Sequence, residues 1–377
     1  MVYFDNAATT PVPKAVADAM YEVLTAHFGN PSSQYPIGVE MKKAVVGWRA
    51  VIAGALGCPA ERLYFTSCGT ESDNWALLSG AEYMKRRGKH IISSTVEHDA
   101  IRKSLDELEK RGFEVTRLKP DASGAIPVQS VVDALRDDTI LVSLMMVNNE
   151  TGAVTDISAV SRELKRAGSQ ALLHTDAVQG FMKVPFRAKT LGADMISISG
   201  HKIHAPKGIG ALYIRAGLKL KPFIVGGSQE SGMRAGTEAM PQIAAFGAAS
   251  EIAYAGMKEN IARMSALRER AVSRLERDIP ELRVISSADS APHILSISLP
   301  GWRSEVLMNF LEARGVYVSR SSACKKGGRS HVLEAVGLDA KTIDGAIRIG
   351  LSRFTTEEDI DALCDAMRDA HDTLAHR

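Results

Sequence analysis

Short apolar runs alternate with longer amphipathic runs through the N-terminal two thirds of the chain. The short runs are rich in Ile, Val and Leu and are bounded by glycine or polar residues, a pattern that favours buried strands. They are Leu63–Ser67, His90–Ser94, Thr139–Val147, Ala171–Thr175, Met195–Ser199 and Gly210–Arg215. The runs with helical spacing are Ala100–Gly112, Pro127–Arg136 and Ile157–Gly168. This alternation predicts an α/β fold with a mostly parallel sheet covered by helices on both faces.

The pattern changes near residue 250. Apolar residues at helical spacing predict one long helix over Glu251–Asp278. The elements predicted after it are the strands Pro292–Leu299 and Gly315–Ser319 and the helices Ser304–Arg314 and Thr356–Leu374. We therefore expect a large domain over 16–257 and a smaller α+β domain over 258–377, which the N-terminal segment 1–15 completes.

Length and charge restrict the class of protein. A chain of 377 residues that is 45% hydrophobic is long enough for two domains. The net charge is +2, and the basic residues are spread along the chain, which does not favour direct nucleic acid binding. No apolar run approaches the ~20 residues of a membrane helix, and the first residues do not resemble a secretion signal. A cytoplasmic protein without membrane contact is expected.

The cysteines do not predict a disulfide framework or a zinc site. Cys58, Cys68, Cys324 and Cys364 are unevenly placed and form no CxxC pair. Such usage is typical of a reducing compartment.

A glycine and threonine follow the first predicted strand. Cys68, Gly69 and Thr70 come directly after Leu63–Ser67 and precede a helical run. Small residues that open a helix expose backbone N–H groups, and the helix dipole adds positive potential, so a phosphate group could bind there. The alternative is an ordinary helix cap, for which Thr and Ser are well suited.

Polar residues also follow the next two predicted strands. His98 comes after His90–Ser94, where it could stack on an aromatic cofactor or move protons, or simply be solvated. Asn149 comes after Thr139–Val147, where its amide could bind a ligand or belong to a turn.

An acid and a lysine follow two further strands. Asp176 ends the run Ala171–Thr175, and a buried carboxylate there needs a cationic partner such as a protonated pyridine, unless it caps a helix. Lys202 follows Met195–Ser199. A desolvated lysine has a lowered pKa and can form a Schiff base, although most lysines lie on the surface.

Each ordinary alternative is credible alone, but the residues converge on one place. Ligands of an open parallel sheet bind beyond the carboxyl ends of its strands. A phosphate seat, a ring neighbour, an acid and an amine together are what pyridoxal 5'-phosphate (PLP) requires.

Motifs along nearly the whole chain carry a family resemblance. They lie at 3–11, 28–33, 69–74, 97–98, 147–152, 176–179, 199–202, 232–237 and 353–358. In these motifs the chain resembles the cysteine desulfurases of the nitrogen-fixation and iron–sulfur-assembly type. These enzymes are a branch of the class V aminotransferases, with the PLP-dependent transferase fold type I.

The resemblance implies roles for the residues at the strand ends. It implies a Schiff base between PLP and Lys202, an Asp176 that pairs with the pyridinium nitrogen, and a His98 that stacks on the ring and moves protons. The other implied cofactor or substrate contacts are Gly69, Thr70, Ser199 and His201 at the phosphate, Asn149 and Gln179 at the ring oxygen or substrate, Thr237 from the second subunit of a homodimer, Arg348 at the substrate carboxylate, and Asn30 in the same pocket.

Cys324 is the thiol that the resemblance assigns to sulfur transfer. It lies in a glycine-rich, basic stretch, and Lys325 and Lys326 beside it favour the nucleophilic thiolate. The implied reaction converts L-cysteine to L-alanine and leaves a persulfide on Cys324. Cys364 lies among apolar residues on a predicted helix, so packing in the core is expected for it.

The sulfur acceptor stays open between an iron–sulfur scaffold and a thiolation enzyme for tRNA or a cofactor. A selenocysteine lyase, or another class V aminotransferase or lyase, is the alternative function, because a fold does not fix its chemistry. A relay subunit without catalysis is disfavoured by the presence of Lys202, Asp176 and His98. A nucleotide-binding domain would need a glycine fingerprint that the sequence lacks.

Overall fold

The computed structural model describes residues 1–320 and 328–374. Its strands are β1 (Val2–Tyr3), β2 (Leu63–Thr66), β3 (His90–Ser94), β4 (Glu114–Leu118), β5 (Thr139–Ser143), β6 (Leu172–Asp176), β7 (Met195–Ser199), β8 (Gly210–Ile214), β9 (Arg283–Val284), β10 (Ile294–Ser298), β11 (Val316–Tyr317), β12 (Ser319–Arg320) and β13 (Ala346–Gly350).

Helices cover both faces of the larger sheet and one side of the smaller one. They are α1 (Lys14–Thr25), α2 (Pro36–Leu56), α3 (Gly69–Asn74), α4 (Gly80–Met84), α5 (Asp99–Lys110), α6 (Val128–Asp133), α7 (Ile157–Arg166), α8 (Ala188–Leu191), α9 (Met240–Ala255), α10 (Met257–Asp278), α11 (Ser304–Glu312), α12 (His331–Ala335), α13 (Ala340–Asp344) and α14 (Glu357–Thr373). A π-helical turn, Trp75–Ser79, joins α3 to α4. Within the described ranges, no helix is both long and apolar enough to span a membrane.

The larger sheet has seven strands in the described part of the chain, in the order β2-β8-β7-β6-β5-β3-β4. Among these seven strands β8 alone runs in the opposite direction, because it pairs antiparallel with both β2 and β7. The carboxyl ends of the parallel strands therefore share one edge, where ligands bind in open sheets of this kind. The predicted mostly parallel mixed sheet flanked by helices is confirmed.

The smaller sheet is antiparallel in the order β12-β13-β10-β9. Beside it, the N-terminal strand β1 pairs parallel with β11. The apolar side chains of β10 and β13 form a separate core with Phe4 and with α10, α11 and α14. The predicted smaller α+β layer is present, while the division at 257 and 258 stays a prediction.

The prediction of one long helix over Glu251–Asp278 is wrong in its limits. The chain forms α9 and α10, which meet at Gly256, and α9 already begins at Met240. Gly256 has φ −97° and ψ 8°, outside helical geometry, and glycine is a poor helix former. The α9 residues are buried on most sides, so helical periodicity is weak there.

Two further strand predictions need correction. The run Gly315–Ser319 divides into β11 and β12, because β11 pairs with the N-terminal β1 and β12 pairs with β13. β5 ends at Ser143, before the predicted Val147, although the backbone N–H of Met146 still donates to the carbonyl of Asp176.

Candidate active site

A cavity of about 330 Å³ lies at the carboxyl edge of the larger sheet. Side chains that follow five different strands and the N-terminal segment meet there. Of the residues predicted from the sequence, those that line it are Gly69, Thr70, His98, Asn149, Asp176, Gln179, Ser199, His201, Lys202 and Arg348.

Lys202 lies at the end of a single 3-10 turn after β7. Its Nζ donates to the backbone carbonyls of Ala7 and Ala8, at 2.7 Å each. Burial lowers the pKa of Lys202 to about 8, and the positive charge of Arg348 lowers it too, while Asp176 opposes the shift. A lysine with such a pKa supplies the neutral amine that attack on an aldehyde requires.

Asp176, at the end of β6, belongs to a buried group of carboxyls with Asp73 and Glu97. One oxygen of Asp176 accepts from the backbone N–H of Val178 at 2.9 Å. Burial raises the pKa of Asp176, and burial together with the charge of Asp176 raises the pKa of Asp73 well above its ordinary value. All three carboxyls line the cavity, and burial favours the neutral form of each.

The first turn of α3 and the end of β7 form another wall of the cavity. Cys68 caps α3 with an extended backbone, and Gly69 and Thr70 begin the helix. The hydroxyl oxygen of Ser199 is buried and has no hydrogen-bond partner among the residues that the structure describes. Burial and the charge of Lys202 lower the pKa of His201 to about 4, so its ring is neutral at pH 7. Backbone N–H groups, hydroxyls and a neutral imidazole are suited to bind a phosphate group.

His98 stands at the start of α5, where its Nδ1 accepts from the backbone N–H of Ala100 at 3.1 Å. This hydrogen bond fixes Nδ1 as the unprotonated nitrogen and places the proton of the neutral ring on Nε2. Gln179 donates from Nε2 to the carbonyl of Ala7 at 2.7 Å. The N-terminal segment therefore holds both Gln179 and Lys202.

Arg348 lies on β13, an inner strand of the four-stranded smaller sheet, and is 3% exposed. Its neighbours Ile347 and Ile349 point into the core of the smaller unit, so strand alternation turns the guanidinium to the opposite face. It donates to the carbonyl of Asn149 at 2.7 Å and to the carboxylate of Asp5 at 2.9 Å. The smaller sheet thus delivers a buried cation to a cavity built mainly by the larger one.

Two predicted residues are not brought into this cavity. Asn30 and Thr237 are exposed and do not line it. Asn30 instead accepts from the backbone N–H of Ser32 at 2.9 Å. Cys324 lies outside the described residues.

Several acidic and basic side chains of the cavity were missed by sequence reasoning. Glu150 also lines it and hydrogen-bonds to Ser330, and burial raises the pKa of Glu150 to about 7. Arg102 and His331 lie 3.3 Å apart at the same wall. Glu97 and Glu150 adjoin the predicted His98 and Asn149, so adjacency was the available signal. Nothing local pointed to Arg102 or His331. The described residues contain no cluster suited to a metal ion.

The sequence matches the protein family described as "Aminotransferase class-V" over residues 2–363. Because this match spans most of the chain and the fold and cavity agree with it, the chain belongs to the class V aminotransferase family. The predicted family and fold type are confirmed.

Named relatives define the branch more closely. Cysteine desulfurase IscS of Methanosarcina thermophila is 42% identical over 369 residues, which cover 97% of this chain and 91% of that protein. The solved structure of a NifS-like protein has a TM-score of 0.94 at 37% identity and covers 99% of this chain and 100% of that one. A structure described as SspA in complex with cysteine has a TM-score of 0.81 at 31% identity and covers 94% of this chain and 100% of that one.

Proposed function

We propose that this chain is a PLP-dependent cysteine desulfurase, which converts L-cysteine to L-alanine and leaves the sulfur as a persulfide on Cys324. The observation that carries the proposal is the meeting of Lys202, Asp176 and Arg348 in one cavity. Identity of about two fifths to a named cysteine desulfurase over nearly the full length supports it.

The donor set of the cavity fits PLP. The unpartnered hydroxyl of Ser199 and the first turn of α3 offer donors for the phosphate. Asp176 is buried in a place where a protonated ring nitrogen would supply the missing positive charge. Lys202 Nζ would hold the aldehyde carbon, and His98 would lie against the ring. PLP, when bound, supplies an electron sink for a negative charge at the α-carbon of the amino acid.

Lys202 and His98 are the groups that would move protons. Lys202 has a pKa of about 8, close enough to neutrality to accept and return a proton. His98 is fixed through Nδ1 at the start of α5, so its Nε2 is the atom available for transfer. The carbonyls of Ala7 and Ala8 hold Lys202 Nζ and would steady the amine after it leaves an aldehyde carbon.

Arg348 would bind the carboxylate of the substrate. Its guanidinium already contacts one carboxylate, that of Asp5, and its Nε is buried without a partner in the described part of the chain. A substrate carboxylate would use Nε and compete with Asp5 for a neighbouring nitrogen, as a bidentate fork allows. Positioning of cysteine would therefore be coupled to the N-terminal segment.

Sulfur transfer is assigned to Cys324 on its sequence setting between small and basic residues. Its thiolate would attack the sulfur of L-cysteine, the C–S bond would break with its electron pair on carbon, and that carbon would take up a proton. A thiol and cysteine thus give a persulfide and alanine, which balances without an external oxidant. The persulfide would pass to an acceptor, either an iron–sulfur scaffold or a thiolation enzyme.

Purified protein incubated with L-cysteine tests the proposal. We expect one alanine for each persulfide formed, and we expect mass spectrometry to locate the persulfide on Cys324. Cys324→Ala should abolish persulfide, whereas Cys364→Ala is the matched control, because Cys364 is buried and its pKa is raised to about 11. Alanine without persulfide, or turnover of selenocysteine alone, would contradict the assignment.

A homodimer is part of the proposal, with Thr237 completing the phosphate site of the second subunit. Large apolar side chains are exposed at Tyr21 (67%), Phe28 (73%) and Val225 (87%), which favours cover by a partner. Thr237 is exposed, and the hydrogen bond of Arg234 to Glu71 at 2.8 Å holds its loop in place.

Mixed dimers test the shared site. Lys202→Ala and Thr237→Ala proteins should each be impaired, and random exchange of their subunits should restore about a quarter of the wild-type activity. No recovery, with exchange verified by differently tagged subunits, would place Thr237 in the site of its own chain.

A further inference from the structure

A second, smaller cavity of about 30 Å³ lies on the other side of Lys202. It is at the seam between the two sheet units, with Met182 and Lys183 on one wall and Met264 and Arg353 on the other. No carboxylate is found among the described residues that line it. None of its cationic groups belongs to the catalytic assignment above, apart from Lys202 itself.

Two cationic side chains in this cavity have no hydrogen-bond acceptor within the described chain. Lys183 is 8% exposed, and its Nζ is buried without a partner. Nε and both Nη atoms of Arg353 are likewise buried without partners. The ring of Phe354, with its centroid 5.0 Å from Cζ of Arg353, provides a weak cation–π contact and no acceptor oxygen.

The buried donors of Lys183 and Arg353 lie in one small cavity and lack acceptors, which favours a bound ligand. Buried charges are normally paired, and a buried donor without an acceptor destabilises the fold. A water molecule could accept two hydrogen bonds here but would leave the positive charge uncompensated. Burial and the nearby charges of Lys202 and Arg348 lower the pKa of Lys183 to about 7, and an anion beside its Nζ would favour the charged form again.

The volume restricts the ligand. A cavity needs roughly 10–15 Å³ by this measure to hold one water molecule. The seam cavity, at about 30 Å³, therefore has room for a particle somewhat larger than water, and a phosphate ester would extend beyond it. Among common anions, a halide ion meets both the size and the charge.

We infer that Lys183 and Arg353 bind a chloride-sized monovalent anion in the seam cavity. The anion ties the sheet of the larger unit to the strand end that follows β13. It also places a negative charge behind Lys202. This inference does not depend on the proposed reaction, because it rests on donors that the reaction does not use.

Bromide replaces chloride in the test, because its anomalous scattering identifies it. In crystals of the cofactor-loaded protein grown with sodium bromide, we expect an anomalous peak in contact with Lys183 Nζ and the Arg353 guanidinium. In solution, chloride at ten times its dissociation constant should raise the folded-to-unfolded ratio about tenfold over gluconate at equal ionic strength.

Lys183→Met should remove both the peak and the chloride effect. Lys189→Met is the matched control, since Lys189 is exposed near the same connection, and it should keep both. If Lys183→Met does not fold, the bromide map and the chloride titration of the wild-type protein decide the question. A water molecule without anomalous signal, a side chain from a second subunit or from residues 321–327 in the cavity, or equal stability in chloride and gluconate would overturn the inference.

Discussion

One histidine lies at the amino end of β3 and another follows its carboxyl end. The two differ in burial and in hydrogen bonding. His90, at the amino end, is fully buried, and its ring nitrogens contact the hydroxyls of Thr139 and Thr116, both at 2.8 Å. His98, beyond the carboxyl end, is exposed to the cavity and commits one ring nitrogen to the backbone of α5. A satisfied polar group at one end contributes to the fold, whereas a half-satisfied one at the other can act on a ligand.

The same contrast extends across the sheet. His174, within β6, contacts Ser143 and Ser197 at 2.9 and 3.0 Å, and burial lowers its pKa to about 3. It is a neutral, fully engaged group. Ser199, at the carboxyl end of β7, has a buried hydroxyl without a described partner. At these two positions, spare hydrogen-bonding capacity separates a residue of the site from one of the interior.

Replacement of Lys202 should give the largest effect of all. Lys202→Ala removes the amine at the carboxyl end of β7 and should lower kcat by a factor of about 10³ or more. Desulfurase assays and absorption spectra of the loaded protein measure it. Lys89→Ala, at the exposed amino end of β3, should leave both unchanged, and an equal loss there would break the contrast between the two ends.

His98→Gln should lower kcat by a factor of about 10² to 10⁴, because a proton carrier and a ring neighbour are lost together. The unfolding free energy should fall by no more than about 1 kcal/mol, the usual cost of a lost helix cap, since His98 is otherwise exposed. Steady-state kinetics and urea unfolding of the same samples separate the two quantities. Wild-type kcat in this variant would remove His98 from the chemistry.

His90→Ala should have the opposite profile. Loss of the ring removes the hydrogen bonds to the hydroxyls of Thr139 and Thr116 and leaves a cavity. The unfolding free energy should fall by about 2 kcal/mol. Activity per folded molecule should stay at the wild-type level. A kinetic defect larger than the loss of folded protein would contradict a purely structural role.

Arg348→Lys should raise the KM for cysteine about tenfold with a smaller change in kcat, because an ammonium cannot form a bidentate pair with a carboxylate. Arg320→Lys, on the neighbouring β12, is the control, since Arg320 pairs with Glu305 at the surface. Unchanged KM in Arg348→Lys would indicate that Asp5 keeps the guanidinium throughout the reaction.

Glu97→Gln should have the smallest effect on activity, and its effect on stability should depend on pH. Burial raises the pKa of Glu97 from its ordinary 4.5 to about 8. The neutral carboxyl therefore stabilises the fold below pH 4.5, and this contribution is lost as the pH rises through 8. The glutamine variant stays neutral, so it should match the wild type near pH 4 and become more stable than it as the pH rises to 8, by up to about 5 kcal/mol for a shift of this size. If the difference in unfolding midpoint between the variant and the wild type is the same at low and at high pH, the raised pKa of Glu97 is refuted.

Local pattern predicted the larger sheet well and the smaller one only in part. β3 and β7 have the predicted limits, because buried strands of a parallel sheet are short apolar runs between polar residues. β13 was not predicted as a strand, although the family resemblance assigned a role to Arg348 within it. Its alternation of Ile347, Arg348 and Ile349 becomes meaningful only when β10 and β12 lie on either side.

The site divides in a similar way. Residues at strand ends could be placed from the sequence, because parallel strands share a carboxyl edge. The pairing of Asp5 with Arg348 and the contacts of Ala7 and Ala8 with Lys202 could not, since they join segments hundreds of residues apart. The roles of Asn30, Thr237 and Cys324 stay predictions, and so does the cytoplasmic location.

The parallel pairing of β1 with β11 also has a consequence for biosynthesis. Val2 and Tyr3 find their partners Val316 and Tyr317 only after most of the chain has been translated. At bacterial or eukaryotic elongation rates this delay is on the order of half a minute. During that interval the N-terminal segment that will contact Lys202 and Arg348 has no strand to pair with, so it cannot yet cover the lysine.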